Sequence, residues 1–195
     1  MALTAWVAPF WAIYTSMSAI TVVGLGIADE PASFVTRAVD RLTLTWGGIE
    51  GDRHFGLTAR AGVRQKHHRK GTELRNARQL SIVSEEELCE VAGRLHVPRL
   101  GWQWLGANLC LKGLADLTRL APSSRLLFPS GACLVVDGEN LPCTGPGRQV
   151  QQQLGAPAAI VHQFVKAAHQ RRGLVAWVER PGELEVGSAV EVIPR

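Results

Sequence analysis

The chain has 195 residues, 46% of them hydrophobic and 19% charged, with a net charge of +4, so it can bury one sizeable core. Its four cysteines, 89, 110, 133 and 143, form no CxxC pair and no His/Cys spacing of a structural zinc site. A disulfide framework and a zinc ribbon are thereby excluded, and a reducing, cytoplasmic setting fits best.

Met1 to Ala28 carries no charge and includes Trp6, Phe10, Trp11 and Tyr14. Thr4, Pro9, Thr15, Ser16 and Ser18 interrupt the apolar run, and no Lys or Arg precedes it, so it reads neither as a membrane span nor as a secretory signal. Residues 1–19 are expected to form an N-terminal extension outside the fold, with residues 1–16 lying upstream of a natural start at Met17 or, as the less favoured alternative, forming a weak membrane-surface anchor. The folded domain then covers 20–195 and opens with a strand over 20–28.

Leu42, Leu44 and Trp46 alternate with Arg41, Thr43 and Thr45, the period of a half-buried strand. A long loop to about residue 78 is expected next. Residues 47–79 hold eight Lys and Arg against three acids, a balance of +5 that exceeds the net charge of the whole chain. Such a segment points to an anionic partner, a phosphate-bearing small molecule or a nucleic acid, or else to a solvated loop. Phe55 is its only aromatic residue, which disfavours nucleic acid.

Gln79 to Val83 reads as a strand, and Ser84-Glu-Glu-Glu87 is a capping box opening a helix to about Leu95. Strands follow near Leu109–Leu111, Arg125–Phe128 and Ala132–Asp137. Helical spacing marks 148–154 and 158–170, and the chain ends on strands over 173–179 and 183–192. Many short strands with few helices predict a mainly β domain with a closed, barrel-like sheet rather than a doubly wound fold. Cys89, Cys110 and Cys133 fall in these elements and read as packing residues.

Cys143 alone stands in a loop, in Asp137-Gly-Glu-Asn-Leu-Pro-Cys-Thr-Gly-Pro-Gly147, a rigid Pro/Gly-rich turn after an apolar strand. A sulfur presented there can ligate a soft metal or carry a persulfide. Its spacing alone leaves a small apolar filler equally open.

Five pieces occur in order: Gly48-Ile-Glu-Gly-Asp-Arg-His-Phe-Gly56; Arg78-Gln-Leu-Ser81 before an acidic helix start; Leu105-Gly-Ala-Asn-Leu109; Pro142-Cys143; and Gly173-Leu-Val175. Together they resemble the MOSC domain, the C-terminal module of molybdenum cofactor sulfurases, over roughly residues 20–194. The resemblance implies a β-barrel-like fold that binds the molybdenum cofactor, molybdopterin carrying a phosphate. It includes reductases of N-hydroxylated compounds, in which the cysteine of the late turn ligates molybdenum, and a sulfurase branch in which that cysteine relays a persulfide. By motif match the residue here is Cys143.

Within that frame Arg53 and Arg78 are the candidates for holding the pterin phosphate, because guanidinium forks match phosphate oxygens with paired bonds. Arg53 has an alternative as an ion pair with Asp52 or Glu50, and Asp52 reads as a turn-former or an orienter. Gln79 and Asn108 can hydrogen-bond the pterin ring or satisfy loop backbone. His54 is a candidate proton donor, since imidazoles exchange protons near neutral pH, with a structural role as the alternative. His67 and His68 read as part of the basic loop.

Two departures from the family pattern stand out. Ala107 occupies a position where many relatives carry Glu. Residues 57–76 are longer than in the shortest members, forming a candidate lid or substrate wall whose charge favours anionic or nucleotide-like substrates. No aminotransferase-like domain precedes residue 20, so pyridoxal phosphate is not expected and any sulfur must come from a separate desulfurase. No ferredoxin-type cysteine set is present, so a reductase needs an external electron donor. The three functional readings are a molybdenum-dependent N-hydroxy reductase, a sulfur carrier in cofactor maturation, and a basic anion-binding module.

Overall fold

A computed structural model describes residues 19–195, so the expected extension lies outside the described residues up to Ser18. The first strand, β1 (Thr21–Ile27), pairs antiparallel with β2 (Arg37–Val39) on one side and with β8 (Leu109–Lys112) on the other. Beyond β8 the sheet continues through β7 (Leu80–Ser84), β11 (Leu174–Arg180), β10 (Cys133–Glu139), β9 (Arg125–Leu127) and β13 (Glu191–Ile193). All these pairs are antiparallel except β7 with β8. A second sheet holds β12 (Gly182–Glu185), β3 (Arg41–Thr45) and β4 (Gly48–Ile49).

The mainly β expectation holds, but the sheet is not closed into a barrel. Among the described residues β13 and β2 remain its outer strands. Residues 187–190 cross to β1, where Val22 N–H donates to Ser188 O at 2.9 Å and Val190 N–H to Ile20 O at 2.8 Å. The sheet therefore curls strongly, but strands as short as the three-residue β13 cannot complete a closing ladder.

The period-2 alternation of β7 and β8 divides two cores. Ile82, Leu109 and Leu111 face the three-stranded sheet and pack with Leu42, Leu44, Ile49 and Leu184. Val83 and Cys110 face the helices and pack with Leu88, Val91, Val150 and Phe164. Those helices are α1 (Glu85–Arg94), α2 (Thr144–Leu154) and α3 (Ile160–Ala167). Ser84 caps α1 as its sequence predicts, its hydroxyl accepting from Glu87 N–H. Among the described residues no helix is long and apolar enough to cross a membrane.

Three local expectations need correction. The loop expected over 47–78 contains a hairpin, β5 (Thr58–Arg60) with β6 (Glu73–Arg75), whose strands are too short and exposed to show alternation. The Pro/Gly turn at Cys143 is the first turn of α2: Cys143 is its N-cap, and Pro146 falls where a missing N–H costs no intrahelical bond. Cys89 is exposed rather than packed, while Cys110 and Cys133 are buried as expected.

Candidate functional site

Cys143 opens onto a cavity of about 310 Å³ between α2, the ends of β7 and β11, and the loops carrying Phe34 and His54. Four arginines line it, Arg53, Arg64, Arg78 and Arg172, and among the described residues no carboxylate does. Arg37, Arg41, Arg94, Arg119, Arg125 and Arg171 each have a carboxylate within 4.0 Å, whereas among the described residues none of the four cavity arginines does. Positive charge is therefore concentrated where the cysteine stands, with no carboxylate among the described residues of the lining.

Arg172 is the most constrained of the four. It is only 5% exposed, its Nη2 donates to Leu105 O, and its Nη1 has no hydrogen-bond partner among the described residues. Burial pulls its pKa from 12.5 down to about 10, against an opposing pull from the Cys143 sulfur and with the charges of Arg64 and Arg78 adding to the lowering. It remains charged at neutral pH, and the shift corresponds to about 3 kcal/mol of unfavourable environment. A buried cation with an idle donor makes this cavity a candidate anion site.

Arg78 is half-buried and donates through Nη2 to Asn140 Oδ1 at 2.9 Å, while Asn140 Nδ2 donates to Ser81 Oγ at 3.0 Å. Burial first, then the charge of Arg64, lowers its pKa to about 10, against a small opposing pull from Asp137. Arg64 places Nη2 3.9 Å from Cys143 Sγ. Arg53 donates to Ser33 O at 2.9 Å and pairs with neither Asp52 nor Glu50, so the ion-pair alternative is not found.

Asp52 orients His54 rather than an arginine. Its Oδ1 accepts from His54 N–H at 2.8 Å and lies 2.9 Å from His54 Nδ1, and its Oδ2 accepts from Ala28 N–H and Asn108 Nδ2. Burial pushes the Asp52 carboxyl up, but hydrogen bonds from the His54 ring and from the backbone of Ala28 and His54 outweigh it, leaving its pKa below 3.8. Because the folded value is depressed, the stabilisation is complete above 3.8 and is lost as pH falls through the folded value. Asp52→Asn is expected to cost about 2–3 kcal/mol at pH 7. Urea titrations at pH 7 and pH 3 should show wild type and variant converging at the lower pH.

Gln79 and Asn108 lie behind the cavity wall and do not line it. Gln79 Oε1 accepts from Val178 N–H, and its Nε2 donates to Trp46 O and Gly56 O. Asn108 Oδ1 accepts from Ser81 N–H, and its Nδ2 donates to Gly26 O and Asp52 Oδ2. Their amides hold the His54 turn and β7 in place, the backbone-satisfying arrangement that stood as the alternative to a pterin contact. Arg172, Asn140 and Arg64 were not singled out from sequence. Arg172 and Asn140 abut the Gly173 and Cys143 motifs, and that adjacency was the available signal.

The chain matches the MOSC domain family over residues 50–191. It is 48% identical over 169 residues, 87% of this chain and 88% of the relative, to YuaD of Bacillus subtilis (strain 168), a protein provisionally named for metal-sulfur cluster biosynthesis. The crystal structure of Bacillus subtilis YuaD superposes with a TM-score of 0.86 at 46% identity, covering 90% of this chain and 97% of that one. YiiM from Geobacillus stearothermophilus shares the fold, with a TM-score of 0.62 at 14% identity over 90% of this chain and 76% of that one. On the family match and the YuaD identity together, this chain belongs to the MOSC domain family.

Proposed function

We propose that the protein binds the molybdenum cofactor in the 310 Å³ cavity, with the Cys143 sulfur as a ligand to the metal, and reduces N-hydroxylated substrates. One observation carries this reading: an exposed sulfur shares a carboxylate-free cavity with a buried arginine that has an idle donor. The donor set fits the cofactor. Among the described residues no cluster of three or more His, Cys, Asp or Glu can hold a bare metal ion. A metal that arrives with dithiolene sulfurs needs only one further soft ligand, and Cys143 offers one.

When bound, the cofactor supplies a two-electron redox centre. Arg172, through its idle Nη1, and Arg78 would hold its phosphate, and Arg53 and Arg64 would balance the remaining charge. Asp52 engages His54 at Nδ1 and His54 lines the cavity, so its free Nε2 would be the nitrogen that hands a proton to the departing oxygen. Two electrons and two protons convert N–OH to N–H and water, the electrons coming from an external donor protein. Gln79 and Asn108 act as positioning residues for the His54 turn.

A second reading, a sulfur carrier loaded as a Cys143 persulfide by a partner desulfurase, is favoured by the exposure of Cys143 and by the provisional name of YuaD. Metal and pterin analysis after expression in a cofactor-competent host separates the two. The reductase reading predicts about one molybdenum and one pterin per chain in wild type, with both retained but the metal's spectrum altered in Cys143→Ser. A persulfide on Cys143 with neither metal nor pterin would favour the carrier, and absence of all three would contradict both.

A further inference from the structure

A second chamber of about 660 Å³ adjoins the first, walled by the β5–β6 hairpin and its connecting loop. The two share Arg53, His54, Arg64 and Arg78, so Arg64, beside the Cys143 sulfur, stands at their junction. The second chamber adds Arg60, Arg75, His67 and His68, with Asp137 the one carboxylate in its lining among the described residues. Arg60 has no carboxylate within 4.0 Å among the described residues, and Arg75 lies over the Trp177 ring, 4.2 Å from its centroid. The chamber is also not purely electrostatic. Phe55, 47% exposed, contributes to the lining, and its ring is held against the backbone of Gly47, where a Cβ would lie 2.8 Å from it.

A fixed aromatic ring beside clustered, carboxylate-poor cations is the recognition chemistry of a nucleoside phosphate: a flat heterocycle for the ring and phosphate oxygens for the guanidiniums. We propose that the second chamber is a nucleoside-phosphate subsite, with the phosphate among Arg60, Arg64 and His68 and the base on Phe55. The proposal rests on the cofactor reading only in taking the first cavity to be the reacting end. The nucleotide can be a free substrate or a tail carried by the cofactor itself.

The test is isothermal titration of the full chain with AMP, adenosine and inorganic phosphate, in wild type, Arg60→Glu and Phe55→Ala. Molybdenum and pterin are measured on the same samples, and the released pterin is analysed for an attached nucleotide. AMP is expected to bind at least about tenfold more tightly than adenosine, and to weaken about tenfold in each variant, with phosphate binding affected only by Arg60→Glu. AMP binding to protein whose pterin lacks a nucleotide assigns a free nucleotide; a nucleotide-bearing pterin on protein that refuses AMP assigns the cofactor tail. No AMP binding together with a nucleotide-free pterin, or AMP binding indifferent to both substitutions, overturns the proposal. Loss of metal and pterin while AMP still binds would instead tell against the cofactor reading alone.

Discussion

Gly173→Ala is expected to destabilise the protein by more than about 4 kcal/mol, a large share of the roughly 5–15 kcal/mol that holds a domain folded. Gly173 has φ +85°, and a Cβ there would lie 2.0 Å from Ile82 O and 3.1 Å from Val83 Cα. Both are backbone atoms of β7 in the middle of the large sheet, so no rotamer change can make room. The residue is also tied on both sides: its N–H donates to Thr118 Oγ1 at 2.8 Å and its carbonyl accepts from Asn140 N–H at 2.9 Å. Thr118 in turn donates to the buried Glu87 carboxylate, linking α1 to this point. Displacing Gly173 would move Arg172 beside it and Asn140, which holds Arg78, so fold and site would fail together. Thermal unfolding should fall by more than about 10 °C. Gly155→Ala is the control: its φ is +60° but nothing lies within 4 Å, so it should cost only about 1 kcal/mol. A Gly173→Ala protein melting within a few degrees of wild type would show that the close approach to β7 is not real.

Arg172→Met is expected to abolish pterin and molybdenum retention while leaving the melting temperature unchanged or higher. A purely structural arginine would behave in the opposite way, because its removal would unfold the protein. Here, among the described residues, the guanidinium makes one hydrogen bond, to Leu105 O, whose loss costs about 1 kcal/mol. Against that, the substitution removes a buried charge whose pKa has been pulled to about 10, and apolar residues of similar size often replace such charges at no cost. Arg172→Lys keeps the charge but not the fork, and should retain partial loading with weaker pterin affinity. Retention of cofactor by Arg172→Met would remove the buried-cation argument from the account.

Much of this architecture was legible in the chain because it rests on short-range pattern. The alternation in β3, the N-cap at Ser84 and the helix behind it follow from local sequence and appear where that sequence puts them, although the Glu87 carboxylate accepts from Thr118 rather than closing a capping box. The β5–β6 hairpin was not legible, since its strands carry no buried face to impose a period. Gly145-Pro-Gly147 argued against a helix, but the first turn of α2 tolerates those residues because its N–H groups have no intrahelical partners.

The site was half legible for a different reason. Motifs brought Cys143, Arg53, His54 and Arg78 forward, and all four line the cavity. An amide in a motif carries no sign of which way it faces, and the partners of Gln79 and Asn108 include Val178 and Gly26, far away in sequence. Arg171-Arg172 looks like an ordinary surface pair. Only the first is one, donating to Glu90 at 2.6 Å, while its neighbour is buried beneath the cysteine turn. The strand β11 that begins two residues later separates their fates.

The central claim is that the Cys143 sulfur completes the ligand set of a metal held in the arginine-lined cavity. X-ray absorption at the molybdenum edge, on loaded wild type and Cys143→Ser, tests it most directly. The account predicts one sulfur neighbour fewer in the variant, with the pterin still present. An identical sulfur shell in the two proteins would contradict it and leave Cys143 as a bystander at the mouth of the cavity.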